Sequence, residues 1–123
     1  MSLRTNTDSH LANAYAEAAR RRGEALSVGD SDRANREFDD LTTIYREFKR
    51  RGTGAFHALM PSSQDRDANV RAAVGWALIE HFPEQARAIL SDVATRPGLP
   101  GFSAEMTLQE WENGNLKFPD AAD

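Results

Sequence analysis

Apolar residues in this chain recur three and four positions apart almost throughout, the spacing of one face of a helix. Leu11, Ala14, Tyr15, Ala18, Ala19, Arg22 and Leu26 keep that spacing, with Asp8 or Ser9 as N-cap and Val28-Gly29-Asp30 as the stop. Ala34, Phe38, Leu41, Tyr45 and Phe48 form one stripe on a second helix, capped by Asp30 or Ser31 and ended by Gly52. At about 20 residues it spans roughly 30 Å. The tight turn between the two helices predicts an antiparallel hairpin. A short helix follows over 54–60, with Ala55, Phe56 and Leu59 inward, and then a loop from Pro61 to Asp65.

The fourth helix is predicted from about 67 to 81, with Val70, Ala73, Val74, Ala77 and Leu78 buried. Pro83 suits the first turn of a fifth helix, where its missing N–H costs nothing, and Ala86, Ile89, Leu90 and Val93 face inward. Residues 96–101 read as a rigid turn. A sixth helix, about 102–113, buries Ala104, Leu108 and Trp111 before Gly114 caps it, and Leu116 and Phe118 pin an acidic tail. No window alternates with period two, so no sheet is expected. The expected architecture is a single all-α domain of six helices in three antiparallel hairpins, with loose ends at 1–7 and 119–123.

Some chemistry is excluded by composition. The 123 residues include no cysteine, which rules out disulfides and thiolate ligands and suits a reducing cytoplasm. The apolar runs fall far short of the roughly 20 residues that span a bilayer, and the N-terminus has no secretory h-region. Net charge is −4 and uneven. Residues 1–60 carry ten Lys/Arg against nine Asp/Glu, residues 61–123 five against ten. An acidic C-terminal half argues against a nucleic-acid binder.

Asp67, Val70-Arg71 and Ala73, then Pro83-Glu84 and Ala86, and finally Leu108, Trp111, Gly114 and Leu116 resemble a small bacterial family of HEAT/armadillo-like proteins. The likeness extends into the first hairpin through Gly29-Asp30, Ala34-Asn35 and Phe38-Asp39. It implies a short α-α superhelix, but no particular activity, substrate or cofactor. This chain departs from a standard array in having about two repeats, with a long hairpin in place of the first. In larger HEAT proteins the inner helices line a concave protein-binding surface, an analogy of fold alone.

Five residues are candidates for binding: Asn35, Asp39, Arg71, Trp76 and Glu80. Arg71 is either a stacking partner for Asp65 or Asp67, as the resemblance implies, or a guanidinium facing a ligand. Asn35 and Asp39 lie four apart on the second helix, off its apolar stripe, where they line a groove or are merely solvated. Trp76 lies off the buried line of its helix, near Ala72 and Glu80, and either packs on the adjacent hairpin or meets a partner. Gly75 in mid-helix costs up to about 1 kcal/mol relative to Ala and signals close helix contact.

Other motifs fail on spacing. Arg20–Arg22 and Lys49–Arg51 lie near helix C-termini, where cations offset the macrodipole, and lack interleaved aromatics. His10, His57 and His81 have neither i, i+3 nor i, i+4 pairing, so no metal site is expected. Gly101-Phe-Ser-Ala-Glu105 lacks the final Gly and the preceding strand of a nucleophile elbow. Gly52-x-Gly54 follows a helix and lacks the third Gly of a dinucleotide loop. These readings favour an adaptor or regulatory module with a protein partner and no cofactor, as monomer or homodimer. A toxin-neutralising immunity role is one version of it. The alternative is an enzyme with an acidic pocket between hairpins, using Glu80, Asp39 or a histidine.

Overall fold

The computed structural model describes residues 3–123. Among them are six α-helices and no strand: α1 (Asp8–Ser27), α2 (Ser31–Arg51), α3 (Thr53–His57), α4 (Ala68–Leu78), α5 (Pro83–Ala94) and α6 (Gly98–Glu112). A 3₁₀ turn, Met60–Gln64, precedes α4. Of the expected loose N-terminal segment 1–7, residues 1 and 2 lie outside the described residues. None of the helices is long and apolar enough to cross a membrane.

The caps show why the helices begin where they do. Thr7, rather than Asp8 or Ser9, caps α1 by accepting the His10 N–H at 3.1 Å. Asp30 caps α2 through the Arg33 N–H, and Asp67 caps α4 through the Asn69 N–H. Gly52 closes α2 at φ 99°, a conformation that penalises any Cβ. The largest boundary difference is at α6. The predicted rigid turn over 96–101 is already helical from Gly98, because Pro100 falls in the first turn, where its missing N–H has no helical partner to lose.

α1 packs along α2, α4 along α5 and α5 along α6, each pair joined by a short connection. α4 also meets α1 and α6, so it sits at the centre. The short α3 lies chiefly against α2. The core between them is aromatic: Tyr15, Tyr45, Phe48 and Phe56 are fully buried, with Tyr45 and Phe56 ring centroids 5.4 Å apart. Edge-to-face pairs of this kind contribute beyond their buried area.

Gly75 lets α4 lie close against α5. A Cβ there would lie 2.9 Å from Leu90 Cγ and 3.1 Å from Ile89 Cγ2. Most of the predicted inward residues are buried, including Val70, Val74, Leu78, Leu90 and Val93. Ala73, Ile89, Leu108 and Trp111 are only partly so. Phe38 is a correction: it is 53 % exposed, although Ala34, Leu41, Tyr45 and Phe48 of its stripe are buried. The stripe drifts around the helix, and at Phe38 the neighbouring helices no longer cover it.

A groove between the first hairpin and the last helix

α6 leans on α5 and α4, while α1 is held by α2 and α4, and the wedge between these two groups opens as a groove of about 470 Å³. Its floor is small and apolar, made by Ala19 and Gly23 of α1 and Ala72 and Ala73 of α4. Tyr15 and Trp76 close the inner end. Leu41 and Phe38 of α2 line it as well, as do Leu99, Phe102 and Thr107 of α6. Lys117 and Pro119 of the C-terminal segment complete the rim.

Gly23 makes the floor possible. A Cβ at that position would stand 2.4 Å from the side-chain amide of Asn69, so a larger residue would displace either that side chain or α1. Tyr15 is held at the inner end by donating its hydroxyl to the Ala73 carbonyl at 3.2 Å, and burial pushes its ionisation far above the usual tyrosine range. Trp76 packs against both Tyr45 and Phe118, with centroids at 4.9 and 5.2 Å. Phe118 thereby anchors the segment after α6 and places Lys117 at the rim. Residues 119–123, expected as a loose end, continue along α2: Lys49 donates to the Pro119 carbonyl and the Ala122 N–H to that of Arg46.

The charge at this groove is one-sided. Among the described residues that line it, Arg22 and Lys117 are the cations and none is a carboxylate. Among the described residues neither has a carboxylate within ion-pair distance, though Arg22 lies 5.4 Å above the Phe38 ring. The remaining cations of the two basic runs are engaged: Arg20 with Asp65, Arg21 with Glu37, Lys49 with Glu80, Arg50 with Glu47, and Arg51 with Glu47 and Asp8. The two basic runs are therefore mostly ion-pair partners. Arg20–Arg22 also lie before, rather than in, the last turn of α1.

Of the five candidates, Trp76 alone lines the groove. Arg71 folds back on its own N-terminal turn and donates to the carbonyls of Asp65 and Arg66, not to a carboxylate. The carboxylate of Asp65 belongs to Arg20, which holds it well below the usual carboxylate range. Glu80 accepts the Tyr45 hydroxyl at 2.6 Å and supports the aromatic cluster from outside. Asn35 and Asp39 are exposed on α2 and do not line the groove. His81 bonds Thr53 and stacks on Phe56. Among the described residues no cluster of His, Asp and Glu is arranged to hold a metal ion.

The sequence reading missed Arg22, Phe38, Leu99, Phe102 and Lys117 as groove residues. A signal was present: Leu99, Phe102 and Met106 repeat the 3,4 spacing on the side of α6 away from Ala104, Leu108 and Trp111. All three are exposed, Phe102 at 62 %. A helix apolar on two sides needs cover on both, and here α5 and α4 leave the Leu99, Phe102 and Met106 side exposed.

No protein-family profile and no curated protein matches the chain. Among solved structures, the crystal structure of the protein RPA1889 from Rhodopseudomonas palustris CGA009 superposes with a TM-score of 0.88. That match covers 95 % of this chain and 98 % of the other at 23 % identity. The likeness shows that the two share a fold.

Proposed function

We propose that this chain is a protein-interaction module whose groove between α1, α2, α4 and α6 receives a segment of another protein. One observation carries the reading: bulky apolar side chains stand exposed around the groove, with Phe38 at 53 %, Leu99 at 56 % and Phe102 at 62 %. Contiguous exposed apolar surface of this kind marks interaction sites on soluble proteins. A small ligand in a pocket is typically enclosed over most of its surface. A molecule confined to this groove would leave the rim wet, whereas a protein segment would cover it. The acidic pocket of the enzyme alternative finds no support here, since the lining carries cations only.

The proposal includes the HEAT/armadillo-like superhelix. It is supported by the succession of neighbouring helices α4, α5 and α6 and by the seam of Val70, Val74, Leu90 and Val93. A regulatory or toxin-neutralising role in the cytoplasm is the form such a module would take. The test compares retention of host proteins on the immobilised wild type and on a Phe38→Ser/Phe102→Ser variant, both exposed positions that leave the core intact. A protein retained by the wild type and lost by the variant is expected. No protein with that dependence, together with a metabolite that raises the melting temperature of the wild type alone, would overturn the reading.

A further inference from the structure

We infer that the occupant of the groove is an amphipathic helix whose apolar anchors are flanked by carboxylates. This rests on the protein-docking reading and adds the chemistry of the partner. The first argument is the backbone. Apart from the uncapped first turn of α6, the groove is walled by helix interiors whose main-chain groups are already paired, and the described residues include no sheet edge. An extended peptide laid there would bury N–H and C=O groups without a regular row of partners, a cost that a helix avoids by satisfying its own.

The second argument is shape. Leu99, Phe102 and Met106 form an exposed line along α6 that continues outward from the groove mouth. From Leu99 to Met106 that line runs about 10 Å at the helical rise of 1.5 Å per residue. A helix lying beside α6 presents anchors at matching 3,4 spacing and covers the cavity and the line together.

Charge complementarity is the third. On a chain of net charge −4, Arg22 of α1 and Lys117 of the C-terminal segment both line the groove, and among the described residues neither is in an ion pair. No lining carboxylate offsets them. Glu or Asp beside the partner's apolar anchors would meet both, and Lys or Arg there would be repelled.

The experiment uses the full chain and three probes. One is a helical peptide of about 18 residues, long enough to hold a helix, with Leu and Phe anchors at 3,4 spacing flanked by Glu. The second carries Lys in place of Glu, and the third is dodecanoate, a single-chain carboxylate. Binding is followed by amide chemical shifts of Phe38, Trp76 and Phe102 and by calorimetry. The acidic peptide should shift those amides, and Lys117→Glu should weaken it about tenfold or more. Arg22→Glu should do the same, and the Lys peptide should prefer the double variant. Lys117 lies outside the helices, so Lys117→Glu carries the test by itself if Arg22→Glu fails to fold. Equal binding of both peptides at the groove would overturn the acidic partner and leave protein docking standing. Dodecanoate shifting the groove amides while neither peptide does would overturn both.

Discussion

Arg20 of α1 grips both carboxylate oxygens of Asp65, at 2.7 and 3.2 Å, and so fastens the first hairpin to the turn that leads into α4. Asp65 in turn accepts the Asp67 N–H at 2.9 Å, and Asp67 caps α4. The fork therefore ties α1 to the turn whose Asp67 caps α4.

The pair is partly solvated, so its stabilisation is modest. A double-mutant cycle with Arg20→Ala and Asp65→Ala, read by urea unfolding, should give a coupling of about 1 kcal/mol, the upper end for surface pairs. A cycle with Arg71→Ala and Asp65→Ala should give a smaller one, because Arg71 holds the Asp65 backbone carbonyl, which survives truncation. A larger coupling for Arg71 would refute this assignment.

Arg71 shows where sequence reading stops. The turn Asp residues, the Val-Arg pair and the periodic apolar positions are local signals, and the helices follow them within a few residues. Which arginine reaches Asp65 depends on how α1 crosses α4, and no spacing within one helix encodes that. Phe38 makes the same point for burial. Its periodicity matches that of Phe48, yet whether a neighbour covers each ring is decided by the tilt of the hairpin. Gly75 was legible because a mid-helix Gly is costly anywhere. Gly23 went unread, although the contact it permits with Asn69 is closer.

Phe38 and Phe48 accordingly differ in energy. Phe48→Ala removes a fully buried ring that touches Tyr15 and Phe56, and should cost about 3–5 kcal/mol. Phe38→Ala removes an exposed ring and should change stability by about 0.5 kcal/mol or less. Chemical denaturation of both variants checks this. Equal losses would mean that Phe38 is buried in solution, by a second copy of the chain or otherwise.

Gly101 should be the least replaceable glycine. A Cβ there would stand 1.8 Å from the Arg96 carbonyl oxygen, a backbone atom that cannot turn aside. Gly101→Ala should cost about 3 kcal/mol, at the upper end for overpacking. Gly75→Ala meets only side-chain atoms of Leu90 and Ile89. Relief of up to about 1 kcal/mol in helix propensity should make it clearly milder. Thermal unfolding of the two variants would reverse this order if α6 began after Gly101.

Glu47 makes stability depend on acid. Its carboxylate is buried and accepts from Arg50 at 2.6 and 2.8 Å and from Arg51 at 2.7 Å. These bonds hold its pKa at about 2, against an ordinary value of 4.5. In the unfolded chain the group binds its proton more readily than in the fold, so protonation favours unfolding. The stabilisation is complete above pH 4.5, shrinks as pH falls below it, and is gone once pH drops through about 2. Asp65, also held low by Arg20, adds to the same slope. Glu47→Gln should therefore be less stable than the wild type at pH 7, and its unfolding midpoint should change less between pH 4.5 and 2. Parallel pH profiles for the two proteins would show that the arginines do not hold this carboxylate in solution.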